Sequence, residues 1–168
     1  MSIFKRKPTP REVAEGLFEW AFYAENIPES VKTLAGELQT SFPIEYSTLY
    51  REYVHLRMFV ADWMLDAPEQ KERKQVREDF NLLVVLMAKQ QPSPEETLRE
   101  IKEHLSAYSA AANTNHHLGV PFAVATTFCE LCGDQGPTHD IDPVTTMTLQ
   151  FGALVNTVAE TLRKCRIA

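Results

Sequence analysis

The position of the prolines is the feature that most constrains how this chain folds. Residues 9–12 (Thr-Pro-Arg-Glu) and 93–96 (Ser-Pro-Glu-Glu) each combine a capping residue with proline at the first helical position and glutamate at the third. Asp142-Pro143 is a similar start, and Ile27-Pro28 is a weaker one because isoleucine offers no side-chain oxygen to the first amides of a helix. Since proline disrupts the interior of helices and central strands, prolines placed in this way predict helix beginnings.

Apolar residues recur every three or four positions between these beginnings, which is the spacing of one face of an α-helix. No segment alternates apolar and polar residues as a half-buried strand does. Seven segments with helical spacing mark predicted helices, with their apolar residues at 13–24, 28–39, 49–63, 76–87, 98–108, 121–132 and 147–165. The sequence therefore predicts an all-α fold, a single-domain bundle of six or seven helices over residues 9–168, preceded by a flexible basic tail at residues 1–8.

Charge is distributed unevenly along the chain and disfavours nucleic acid as a partner. The net charge is −6, from 17 basic and 23 acidic residues. Seven of the basic residues lie before residue 12 or after residue 162, whereas every acidic residue lies between these ends. An acidic body repels the phosphate backbone, whose neutralisation supplies most of the non-specific affinity for nucleic acid.

Hydropathy predicts neither a membrane span nor a secretory leader. The longest apolar run covers residues 82–88, which is far shorter than the roughly 20 residues that a helix needs to cross a bilayer. The basic N-terminal segment is not followed by the apolar stretch of a signal peptide. Three cysteines are too few, and odd in number, to indicate a disulfide scaffold. We therefore expect a cytoplasmic protein.

One long segment has an unusual composition. Residues 103–162 contain no lysine or arginine and only six acidic residues, yet they hold four of the five histidines and two of the three cysteines. Helix surfaces usually carry interspersed charges of both signs. The segment is therefore packed centrally in the bundle, covered by a protein partner or a second copy of the chain, or shaped around a metal or ligand.

Two cysteines in this segment have the spacing of a zinc knuckle. In Cys129-Glu130-Leu131-Cys132 a tight turn can direct both thiolates at one metal ion. A structural zinc site needs four ligands, and His116, His117, His139 or Cys165 could complete it, although none lies at a recognised spacing. The alternative, which we favour, is that both cysteines close the sixth helix as small buried residues.

A carboxylate and an imidazole lie three residues apart on the third predicted helix. Glu52 and His55 have the spacing that di-iron helical bundles use on one helix face. Such a centre requires a second pair of the same kind, but Glu100 and His104 are four residues apart. We therefore expect Glu52 and His55 to lie on a solvated helix face.

Aromatic residues cluster in two places that could meet. Tyr46, Tyr50 and Tyr53 lie at helical spacing, and Phe22 and Tyr23 end the first predicted helix. They could line an aromatic pocket, although aromatic residues at this spacing more often belong to the core.

No catalytic motif accompanies these candidates. The chain has no nucleophile elbow, phosphate-binding glycine loop, zinc-protease helix or dinucleotide fingerprint. The first hypothesis is therefore a soluble, non-enzymatic protein-interaction module (an adaptor, regulator or chaperone-like protein) that contacts a protein partner or itself through residues 103–162. The alternative is a helical bundle that binds a metal, with zinc as the candidate, or a small ligand through the histidines and cysteines of its C-terminal third.

Overall fold

The computed structural model describes residues 6–38, 44–66, 70–114, 116–133 and 141–167. Within these ranges the chain forms seven α-helices and no strand, which confirms the predicted all-α bundle. The helices are α1 (Pro10–Tyr23), α2 (Ile27–Leu38), α3 (Tyr46–Leu65), α4 (Lys71–Ala88), α5 (Pro94–Asn113), α6 (Val120–Leu131) and α7 (Ile141–Lys164). The predicted tail at residues 1–8 falls mostly outside the described residues.

The helix ends follow the capping chemistry only in part. At the start of α1 the predicted capping box is present, because the Glu12 amide donates to Thr9 Oγ1 at 3.2 Å and the Thr9 amide donates to Glu12 Oε2 at 2.7 Å. The hydrogen bond from the Thr9 amide lowers the pKa of the Glu12 carboxyl. α5 begins at the predicted proline, but Ser93 makes no side-chain cap hydrogen bond. α7 begins at Ile141, so Asp142 lies in its first turn and does not cap it.

α3 is the centre of the bundle and contacts each of the other six helices. Eleven of its 20 residues are buried, since partners on several sides leave little of its surface exposed to water. Its buried residues include Glu52, His55 and Arg57, the three buried polar or charged residues in the part of the chain that the structure describes. Ionisable groups in such a position need partners, because burying an unpaired charge is costly.

The charge-poor segment supplies α6, α7 and the end of α5. α6 packs between α5 and α7, and its Phe128 and Cys129 side chains are buried. Gly133 ends α6 with a φ of +101°, the left-handed conformation that glycine adopts readily. Central packing therefore accounts for part of the missing charge. Two leucines of the segment nevertheless point to water, Leu118 at 56% and Leu149 at 71% exposed.

None of the helices in the described ranges combines the length and apolarity that crossing a lipid bilayer requires.

Candidate metal centre

The Glu52 side chain lies at the middle of the bundle, and its carboxylate is fully buried. Oε2 lies 2.8 Å from Nδ1 of His104 on α5, and Oε1 lies 3.6 Å from Nδ1 of His55, three residues further along α3. The expectation of a solvated face for Glu52 and His55 is therefore wrong. Helices α5 and α6 both pack against α3 and exclude water from this face.

The position of Glu52 follows from the helical repeat of α3. Leu49 precedes Glu52 by three residues and Leu56 follows it by four, and both leucines are buried. Residues at these separations share one helix face. The apolar residues on this face of α3 therefore indicated that Glu52 is buried, although a glutamate side chain is usually exposed.

His104 is the third member of the site and comes from a different helix. Its side chain is 18% exposed, and its ring centroid lies 4.6 Å from that of His55. One potential ligand atom from each of Glu52, His55 and His104 lies within 4.8 Å of those of the other two. The spacing of Glu100 and His104 was therefore not the relevant pattern, because the carboxylate that meets His104 is Glu52.

These separations are close to those of a coordination shell. Ligands at about 2.0–2.1 Å in a tetrahedral zinc site are about 3.3 Å from one another. The two separations are 2.8 Å from His104 Nδ1 to Glu52 Oε2 and 3.6 Å from His55 Nδ1 to Glu52 Oε1. The three side chains therefore lie near enough to share one ion once their ligand atoms turn towards it.

Two polar atoms of the site have no hydrogen-bond partner among the residues that the structure describes. They are Oε1 of Glu52 and Nδ1 of His55, and both are buried. A buried polar atom without a partner costs about 1–3 kcal/mol, and native structures contain few of them. The nearest cationic side chain on Glu52 Oε1 is that of Arg51, whose Nε is 3.7 Å away; this side chain is 53% exposed and also pairs with Glu100 at 3.1 Å.

Buried side chains adjoin the Glu52 carboxylate. Tyr108 lies one turn after His104 on α5, and its hydroxyl is buried without a hydrogen-bond partner in the described ranges. Burial raises the pKa of Tyr108 well above its usual value, and the charge of Glu52 raises it further. Burial and the same carboxylate also raise the pKa of the Cys132 thiol. Low polarity around Glu52 strengthens any electrostatic interaction made there.

A cavity of about 250 Å³ adjoins the site and has His55 in its lining. Phe22 and Tyr50 line it as well, so two of the five aromatic residues considered for a pocket do surround a cavity. Tyr53 belongs to the core, whereas Tyr23 and Tyr46 are exposed.

The residues that the sequence suggested as zinc ligands are not part of the group formed by Glu52, His55 and His104. Cys129 and Cys132 are buried at the end of α6, as their interpretation as small core residues requires. His116 stacks on His117, with ring centroids 4.6 Å apart, and His139 lies outside the described residues. Within the described ranges, the one group of three potential metal ligands is Glu52, His55 and His104. A zinc site at the cysteines therefore remains a prediction.

Comparisons of this chain with models of protein families, with curated proteins and with solved structures gave no match.

Proposed function

We propose that this protein is a helical metal-binding protein with one divalent ion held by Glu52, His55 and His104. This is the metal-binding alternative from the sequence, moved from the cysteines to the centre of α3 and α5. The observation that carries it is the convergence of three ligand side chains within 4.8 Å in the bundle interior.

A metal ion would engage polar atoms that the hydrogen bonds of the site leave out. The 2.8 Å contact with His104 occupies Oε2 of Glu52, whereas Oε1 and Nδ1 of His55 are 3.6 Å apart, too far for a hydrogen bond between them. An ion at about 2.0–2.2 Å from a carboxylate oxygen and two imidazole nitrogens would engage all three side chains. It would also compensate the charge of a carboxylate that the fold has removed from water.

The donor set narrows the choice of metal. Calcium and magnesium prefer oxygen ligands alone, whereas two imidazoles with one carboxylate are typical of catalytic zinc sites and of non-haem Fe(II) sites. Three protein ligands leave at least one coordination position open, which structural zinc sites do not have. The site is therefore of the kind that activates a bound water or binds a ligand directly.

The test is metal analysis of tag-free protein purified without chelator and then loaded with Zn(II) or, under anaerobic conditions, Fe(II). We expect about one ion per chain, lost in Glu52→Gln and in His104→Gln. Glu100→Gln is the matched control, because it removes a carboxylate one turn from His104 that is not a proposed ligand. Metal retained by Glu52→Gln would refute the site, and metal lost in the Cys129→Ser/Cys132→Ser variant but retained in Glu52→Gln would place it at the cysteines.

We also propose that the charge-poor segment at residues 103–162 binds a protein partner or a second copy of the chain. The exposure of Leu118 and Leu149 in a segment without basic residues supports this proposal. If the chain self-associates there, Leu149→Glu should lower the mass measured by light scattering. An unchanged oligomer in that variant would exclude Leu149 from the interface. We also propose a cytoplasmic location, the compartment expected for a sequence whose three cysteines do not indicate a disulfide scaffold.

A further inference from the structure

The cavity beside His55 has the size and lining of a small-ligand site. It lies among α1, α3, α4 and α5, and the apolar side chains of Phe22, Val54 and Met87 form part of its wall. Its volume of about 250 Å³ is slightly below the roughly 300–1,000 Å³ of cavities that hold drug-sized molecules. A compact molecule with an apolar body fits such a space.

Charged groups are found only on one part of the cavity lining. Arg51 and Glu100 line it together with His55, and Arg51 is the more exposed of the two charged residues. Of the three proposed metal ligands, His55 is the one among the lining residues, so the cavity extends from the solvent-accessible Arg51–Glu100 pair to the His55 side of the proposed metal site.

The net charge of this region depends on the metal. A divalent ion adds two positive charges beside Glu52, whereas the positive charge of Arg51 is paired with Glu100 at 3.1 Å. An anionic ligand should therefore be attracted more strongly to the site with metal than to the site without it.

We propose that this cavity binds a small carboxylic acid with an apolar body, with its carboxylate in an open coordination position of the metal and near Arg51. This inference rests on the proposed metal site. Bound metal should raise the affinity of the protein for the acid. By thermodynamic linkage, bound acid should raise the affinity of the protein for the metal by the same factor.

Benzoate is the probe, and benzyl alcohol is its neutral counterpart of similar size. Isothermal titration of the zinc-loaded full chain should detect benzoate binding at least roughly tenfold tighter than that of benzyl alcohol. The same protein treated with chelator should bind neither measurably. Equal affinity for the two probes, no benzoate binding to zinc-loaded protein, or benzoate binding that does not require zinc would each overturn the proposal.

Two variants separate this site from the metal site. Val54→Phe adds a bulky side chain to the cavity lining at a residue that is not a proposed ligand, and it should abolish benzoate binding while one zinc ion per chain is retained. Arg51→Gln should weaken benzoate about two- to fivefold, the effect expected for a half-exposed charge pair. Leu82→Phe, at an exposed position of α4 outside the cavity lining, is the matched control and should behave as wild type. Unchanged benzoate binding in folded Val54→Phe would overturn the cavity assignment, whereas a chain that takes up no metal would overturn the proposed function and this inference together.

Discussion

Replacing His104 by leucine in metal-free protein tests whether His104 stabilises the buried carboxylate of Glu52. The substitution removes the 2.8 Å contact to Glu52 Oε2 and leaves a fully buried carboxylate whose other oxygen already lacks a hydrogen bond. Leaving a buried carboxylate without its hydrogen-bond partner costs about 3–5 kcal/mol when the charge is not compensated. Arg51 compensates little of this, since it is half exposed and 3.7 Å from the other oxygen.

The double variant Glu52→Leu/His104→Leu separates the unpaired charge from lost packing. Replacing both members of a buried pair by apolar groups is often close to neutral, so we expect it to recover most of the loss. Urea unfolding with chelator present measures the free energies. For a domain of this size, a loss of about 3–5 kcal/mol lowers the melting temperature by roughly 6–20 °C. A loss below about 1 kcal/mol in the single variant, or a double variant no more stable than the single one, would refute a buried charge held by His104.

Three further predictions concern buried groups around the centre. Tyr108→Phe removes a buried hydroxyl without a partner in the described residues and should change the free energy of unfolding by between about 0 and +1 kcal/mol; a loss above about 1 kcal/mol would mean that the hydroxyl has a partner. Arg57 is buried over the Trp20 ring at 4.3 Å. Arg57→Ala should therefore lower the free energy of unfolding in urea by about 2–4 kcal/mol more than Arg57→Met, because only alanine leaves a cavity. Equal losses in the two variants would contradict this. Burial raises the pKa of the Cys132 thiol and so lowers its thiolate fraction at pH 8. Native protein should therefore react with a disulfide reagent first at the partly exposed Cys165. Equally fast labelling of Cys132 would contradict its burial.

Local sequence patterns account for the helices of this protein. The capping box at residues 9–12, the proline at residue 94 and the glycine at residue 133 act through neighbours a few residues away, so they are readable without the fold. The structure differs at Ser93, which makes no side-chain cap bond although its helix begins as predicted. Ser93 itself adopts a φ of −126° and a ψ of 76°, a backbone conformation that residue types alone do not determine.

The proposed metal site of Glu52, His55 and His104 could be predicted from the sequence only in part. Glu52 and His55 were recognisable as a pair from their spacing, and the leucines on either side of Glu52 show that it faces the core. His104 is 52 residues from Glu52 and meets it only because α5 packs against α3. A contact of this kind is determined by tertiary packing, so it cannot be predicted from the spacing of residues along the chain.

The most direct test of the central claim is the absorption spectrum of the protein titrated with Co(II), a spectroscopic substitute for zinc. The account predicts saturation at about one Co(II) per chain, with visible d–d bands and no thiolate-to-cobalt charge transfer in the near ultraviolet. These bands should disappear in Glu52→Gln and persist in Cys129→Ser/Cys132→Ser. A thiolate charge-transfer band, or a Glu52→Gln spectrum identical to that of the wild type, would contradict a metal centre formed by Glu52, His55 and His104.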